Sequence, residues 1–276
     1  MKLLFLACLS PPTGNRTTAQ RISEYIQSCD HVCALRDIAD FKSSSQVSDL
    51  ISEEKFEAVL IIHLYKGGRL LLGVVTKPCE KFDWIEFLQN SGIQCKNIDP
   101  YIFLLVCGLR QVKDPLFLVD AFSAWRNEEP RVYLIIIGPE VDTAFTQQVK
   151  AKVKGARGVY LVSEKPQEEL HAAMRDSFAV VNSSISEGMS STILEAMDLN
   201  VPVLARNIPG NRAIVKHENT GLLFFDPSEF VEFSKRLISD TCLKESIVTQ
   251  AKKYVAEHHS WNTERETYRR LTAKLL

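Results

Sequence analysis

From residue 101 onward, short continuous apolar runs alternate with segments of helical spacing. The runs are IFLLVCG (102–108), RVYLIIIG (131–138), VYLV (159–162), FAVV (178–181), PVLA (202–205) and GLLFF (221–225). Between them, PLFLVDAFSAW (115–125), a segment near 142–154, PQEELHAAM (166–174) and STILEAMDL (191–199) place apolar residues at helical intervals. A strand that is apolar at every position is covered on both faces, and strands alternating with helices predict a parallel sheet. The pattern therefore predicts a Rossmann-like α/β domain, whose ligands sit beyond the carboxyl ends of the strands.

The first hundred residues carry a shorter version of the same alternation. KLLFLACLS (2–10) reads as a strand, PPTGNRTTAQRISEYIQ (11–27) as a loop and helix, HVCAL (31–35) as a strand, SQVSDLISEEKF (45–56) as a helix and EAVLIIHLY (57–65) as a third strand. Gly14 marks the turn of the first loop, where a phosphate could approach a helix N-terminus. His63 closes the third strand, either as a donor to a ligand or as a packed histidine bonded to backbone. After Gly67 and Gly68 the alternation breaks, and residues 69–101 supply one short strand and one helix.

At 276 residues, 45% hydrophobic and 24% charged, the chain has the make-up of a globular protein of two domains. A net charge of −1 gives no polycationic footprint for nucleic acid or an anionic membrane. No apolar run approaches the roughly 18 residues of a membrane span. Seven cysteines, an odd number without a CxxC pair, fit reduced thiols and not a zinc site. Residues 2–10 have a short apolar core, one lysine and prolines directly after, so a cytoplasmic protein is expected, with secretion the alternative if that stretch acts as a signal.

The densest chemistry lies in NSSISEGMSSTILEAMDLNVPVLA (182–205). A strand, a small-residue turn and a helix N-terminus make an anion site there, because first-turn amides and the helix dipole face the loop. The amides of Gly188, Met189, Ser190, Ser191 and Thr192 are its candidate donors. Glu187 and Glu195 flank it, and since carboxylates repel phosphate their task would be to accept from neutral sugar hydroxyls. The competing reading makes Thr192 and Glu195 a capping box and Glu187 a solvated loop residue. In CGLRQVKDP (107–115), Gly108 gives the backbone room while Arg110 and Lys113 can reach a diphosphate or remain solvated cations. Gly138 stands at the corresponding turn after the next strand. No carboxylate pair is placed as a metal clamp, so no metal is expected.

The order Glu187, Gly188, Glu195, Ala196, Met197, Pro202, Val203, followed by NTGLLF (219–224), resembles the glycosyltransferase group 1 family, family 4 of the glycosyltransferases. The resemblance covers residues 100–276 well and the first 70 loosely. It implies a GT-B fold: an acceptor-side lobe over 1–100, a nucleotide-sugar-binding domain over 101–257, and a closing helix over 258–276 packed back on the first lobe. It implies retaining transfer from a UDP- or GDP-linked sugar to an unknown acceptor, with no cofactor besides the donor. By the same resemblance Glu187 would hold the sugar, Glu195 the ribose, Arg110 and Lys113 the diphosphate, and His63 a phosphate or the acceptor.

This chain departs from the family at several points. It has Gly-Leu-Arg where Gly-Arg-Leu is usual, a single glycine at 138, and Ala213 where an acidic residue is common. Three strands are legible in a first lobe where about six are expected, as if a block near 73–76 were missing through an alternative transcript. Trp261 and Tyr268 read as core or interface anchors. Two other readings stay open: a nucleotide-sugar-binding or regulatory protein, and a GT-B nucleotide-sugar epimerase.

Overall fold

The computed structural model describes residues 2–7, 9, 14–28, 31–37, 40, 44–61, 81–90, 99–259 and 270. The chain divides into two compact units, Met1–Leu72 with His258–Leu276, and Gly73–Glu257.

The first unit contains β1 (Lys2–Ala7), α1 (Gly14–Ser28), β2 (Val32–Asp37), α2 (Ser44–Glu54) and β3 (Ala58–Ile61). Its described strands form a parallel sheet in the order β2-β1-β3. β1 is the middle strand and is buried from Leu3 to Ala7, which is why it reads as an unbroken apolar run. Its two faces bury different partners: Leu3, Phe5 and Ala7 meet Ala19, Ile22 and Ile26 of α1, and Leu4 and Leu6 meet Phe56, Leu50 and Ile51. The alternation of side chains along a strand accounts for the split. Gly14 is the first residue of α1. His63, Trp261 and Tyr268 lie outside the described residues, as does any strand between 62 and 80.

The second unit begins with α3 (Trp84–Asn90), before residue 100. Trp84 is buried and its Nε1 donates to the Ala173 carbonyl at 3.2 Å, while the Phe82 amide donates to Asp176 Oδ2 at 2.6 Å. Then follow β4 (Tyr101–Val106), α4 (Val119–Glu128), β5 (Val132–Ile137), α5 (Thr143–Lys154), β6 (Val159–Val162), α6 (Gln167–Arg175), β7 (Ala179–Asn182), α7 (Ser191–Asp198), β8 (Val203–Arg206), α8 (Pro209–Arg212), β9 (Leu222–Phe224), α9 (Pro227–Ser239) and α10 (Thr241–His258). Six parallel strands form one sheet in the order β6-β5-β4-β7-β8-β9. Phe103 on β4 centres one face, its ring 5.7 Å from Phe122 and 5.5 Å from Trp125, both on α4, and 5.9 Å from Phe230 on α9.

One boundary differs from the spacing. The helix predicted from residue 115 starts at Val119, because Asp114 adopts a left-handed backbone (φ 41°) and residues 115–118 close with three-residue turns. Apolar periodicity extends through such turns and does not mark where the α-helix begins.

Strand order reverses between β4 and β7. The chain runs outward from β4 to β5 and β6, then returns to place β7 on the opposite side of β4. In sheets of this kind the loops leaving those two strands diverge and open a crevice at their carboxyl ends.

Candidate functional site

The crevice is walled by residues 107–114 after β4 and 183–190 after β7. On the β4 side, the turn depends on Gly138. A Cβ there would lie 1.9 Å from the Cys107 carbonyl oxygen, so only glycine lets the backbones leaving β4 and β5 touch. Two hydrogen bonds fix that approach, Leu109 N to Pro139 O at 2.9 Å and Asp142 N to Leu109 O at 3.0 Å. The backbone then forms a 3-10 turn, Gln111–Lys113, which carries Lys113 over the crevice. Gly108 is less constrained, its nearest obstacle being the Val141 side chain at 2.9 Å. Arg110 is exposed in extended backbone and makes no ion pair among the described residues.

The two loops are bonded together. Ile185 N donates to Val112 O at 2.9 Å, and Ser183 Oγ to Lys113 O at 3.1 Å. Arg206 at the end of β8 donates to Asp114 Oδ2 at 2.9 Å and to Ser183 O at 3.3 Å, with its guanidinium 3.7 Å from the Phe117 ring centroid. This network brings Lys113 Nζ to 2.5 Å from Glu187 Oε1, with side-chain exposures of 18% and 10%. A nearly buried ion pair persists only when its remaining groups are bonded too. Here Glu187 Oε1 also accepts from Ser184 Oγ at 2.7 Å and Asn182 Nδ2 at 3.3 Å. No described residue donates to Oε2, so the carboxylate is fixed through one oxygen and offers the other.

Helix α7 starts at Ser191 with Ser190 as its N-cap residue, and the Ser190 side chain does not cap. Its Oγ instead accepts from Asn182 Nδ2 at 3.3 Å. Thr192 is already the second helical residue, so the Thr192–Glu195 capping box does not form. Glu195 faces across to α6, its Oε2 3.6 Å from His171 Nε2. Among the described residues the amides of Gly188, Met189 and Ser190 donate to no protein acceptor. Together with the helix N-terminus they constitute an electropositive lip beside Glu187.

Sequence reasoning missed the support beneath Glu187. A Cβ on Gly210, in α8, would lie 2.0 Å from the Glu187 carbonyl oxygen. Asn211, fully buried, donates through Nδ2 to Asn182 Oδ1 and to Arg206 O, both at 3.0 Å. The signal was present: Asn182 is a polar residue at the end of an apolar run, and a buried amide in such a place needs partners. Ala213 is exposed, so this turn meets the site through backbone and amide and not through charge.

A groove of about 750 Å³ runs from Leu109, Gly138 and Pro139 past Val162, Ser163 and Glu164. The Cys107 carbonyl abuts Gly138, which lines this groove. Burial pushes the Cys107 thiol up to about 12, against smaller opposing effects of Lys113 and Arg110. No group of three or more His, Cys, Asp or Glu among the described residues could hold a metal ion. Nor is any described helix long and apolar enough to cross a membrane.

The profile of the family described as glycosyl transferases group 1 matches residues 89–254. The chain belongs to that family, and its architecture is GT-B. It is 45% identical over 340 aligned positions to "Glycosyltransferase 1 domain-containing protein 1" of Xenopus tropicalis, an alignment spanning 100% of this chain and 98% of that protein. At least 64 of those positions (340 minus 276) therefore have no residue of this chain. Among solved structures it is similar to Anabaena HepE in complex with UDP-glucose, with a TM-score of 0.72, 12% identity and coverage of 99% of this chain and 100% of that one. A glycosyltransferase from Rickettsia africae gives a TM-score of 0.73 at 14% identity, covering 99% and 98%. At such identities the two structures bear on the fold.

Proposed function

We propose that this chain binds a nucleotide diphosphate sugar in the crevice between β4 and β7 and transfers the sugar with retention of configuration. One observation carries the reading: a cation, unpaired loop amides at a helix N-terminus and a half-bonded carboxylate converge at the switch point of a parallel sheet. The diphosphate fits the amides of 188–192, with Lys113 and Arg110 supplying positive charge. Lys113 also answers the objection that Glu187 would repel phosphate, since it neutralises that carboxylate at 2.5 Å. Glu187 Oε2 is free to accept from a sugar hydroxyl, and Glu195, held out of a capping role, to accept from the ribose. The groove past Gly138 has room for the nucleoside. UDP-glucose in the HepE complex is consistent with such a donor.

In transfer, the bond from the anomeric carbon to the diphosphate breaks and the diphosphate leaves with the electron pair. The acceptor oxygen bonds to the same face and gives its proton to an oxygen of the departing diphosphate. Preorganised amides and cations aimed at the leaving diphosphate stabilise the charge that develops there. This arrangement takes the place of a metal ion. Calorimetry with UDP-glucose and GDP-mannose, with and without a chelator, tests it: binding is expected to be unchanged by chelation, and its strict loss would sink the metal-free reading.

A second reading has an observation of its own. At least 64 positions of the alignment with the Xenopus relative hold no residue of this chain, and the described first unit has a sheet of three strands. On this reading the chain binds donor but positions acceptor poorly, acting as a nucleotide-sugar-binding or regulatory protein. Nucleotide release that rises with added acceptor supports transfer, and binding without release supports the second reading. Release of nucleotide with no acceptor present supports an epimerase-like or hydrolytic course.

A further inference from the structure

We infer that Asn182 and Asn211 are positioning residues for Glu187, and that α8 thereby sets the site's grip on the sugar and not its grip on the nucleotide. This rests on the reading of Glu187 as the acceptor of sugar hydroxyls. Asn182 has its full hydrogen-bonding capacity engaged. Its Oδ1 accepts from Ser184 N at 3.2 Å and Asn211 Nδ2 at 3.0 Å, and its Nδ2 donates to Glu187 Oε1 and Ser190 Oγ, both at 3.3 Å.

Asn211 decides which way that amide faces. Rotating the Asn182 amide by half a turn would set its NH2 against the NH2 of Asn211 and its carbonyl against the Glu187 carboxylate, two repulsions in a buried place. Asn211 cannot easily yield, because its other Nδ2 hydrogen is held by Arg206 O at 3.0 Å at the end of β8 and the residue is fully buried. The Asn182 bonds also tie Ser184 and Ser190, the two shoulders of the loop that carries Glu187. Gly210, next to Asn211, meets the Glu187 carbonyl directly. One short turn therefore fixes both the backbone and one carboxylate oxygen of Glu187, leaving Oε2 aimed by consequence. Fixed amide dipoles in a low-dielectric setting hold a charged partner more strongly than they would in water. Reading of a sugar's hydroxyls needs placement within a fraction of an ångström.

Calorimetry on the full chain, comparing UDP with UDP-glucose and GDP with GDP-mannose, reads the sugar's share of affinity apart from the nucleotide's. Asn211→Leu keeps the volume and removes the donors. It is expected to leave nucleotide affinity within about twofold and to reduce the sugar increment about tenfold, the size of one lost charge-assisted bond. In a Glu187→Gln background the same substitution should have no further effect on that increment, because the two act through one contact. Asn182→Ser, which deletes the bond to Glu187 without adding volume, should repeat the pattern and serves if the leucine variant does not fold. Equal losses for nucleotide and sugar nucleotide, or additive losses in the Glu187→Gln background, overturn the inference and leave the asparagines a structural role. A wild-type protein with no sugar increment, or a Glu187→Gln variant that keeps the full increment, overturns the reading of Glu187 itself, and the inference falls with it.

Discussion

Lys113 and Glu187 are the residues on which the site turns, and their energetics are asymmetric. Removing one member of a nearly buried pair strands the other. Lys113→Met is therefore expected to cost about 2 to 3 kcal/mol, measured by denaturant midpoint, with part restored by adding Glu187→Gln. Gly138→Ala drives a methyl group into the Cys107 carbonyl, which backbone must move to relieve, and should destabilise by more than about 2 kcal/mol in the same measurement. Cys107 makes a prediction of opposite character. Its raised pKa keeps the thiol neutral near pH 7, so an alkylating reagent should modify exposed Cys242 and spare Cys107. The unfolded thiol ionises near 9.0 and the folded one only at about 12, so this contribution is complete below pH 9.0 and is lost as pH rises toward 12.

Elements place those residues, and two of them separate capping from chemistry. Asp142 caps α5 by accepting from Phe145 N at 3.0 Å, and Asp142→Ala should lower stability by about 1 kcal/mol. Thr192→Ala should cost less than about 0.5 kcal/mol, because Thr192 is inside α7 and caps nothing. A loss near 1 kcal/mol there would restore the capping box and remove one argument for Glu195 as a ligand residue. Helix α3 depends on its aromatic anchor: Trp84→Ala should cost about 3 to 5 kcal/mol, seen as loss of the second unit's cooperativity in a thermal melt. Asp176 adds an acid-sensitive tie. Burial works to raise its pKa, but hydrogen bonds from Arg175 and the Phe82 amide prevail and hold it low. That contribution is present above the ordinary carboxylate value of 3.8 and fades as pH falls below it.

At the scale of the whole molecule, the contrast is between a six-strand sheet, with one large core cluster drawn from every strand, and a described sheet of three strands with a smaller cluster on each face. Fewer buried apolar contacts give lower local opening energies. Hydrogen exchange should therefore be slow across β4 to β9 and faster across β1 to β3. Uniform protection would mean that the three-strand unit is as stable as the six-strand one. The same contrast bears on activity, since transfer needs an acceptor held about 3 to 3.5 Å from the reacting carbon. Turnover of the 1 to 1000 per second typical of enzymes, in an assay over donors and acceptors, would remove the second reading.

The sequence by itself determined the class of fold, because continuous apolar strands can be buried only in a covered parallel sheet. It also located the Glu187 to Thr192 segment, whose strand, turn and helix are local in the chain. Pairwise partners across loops were not legible. That Lys113 meets Glu187, 74 positions away, follows from β4 and β7 being neighbours, a fact of strand order that no local pattern encodes. Asn182 showed as a polar residue closing an apolar run, but its partner Asn211, and Gly210 against the Glu187 carbonyl, reach the site only because β8 lies beside β7. Tertiary structure also ended the capping reading of Thr192 and Glu195, since the helix starts two residues too early for it and Glu195 turns to His171 on another helix. Periodicity fixes what is buried, and only the packed sheet decides which loops meet at its edge.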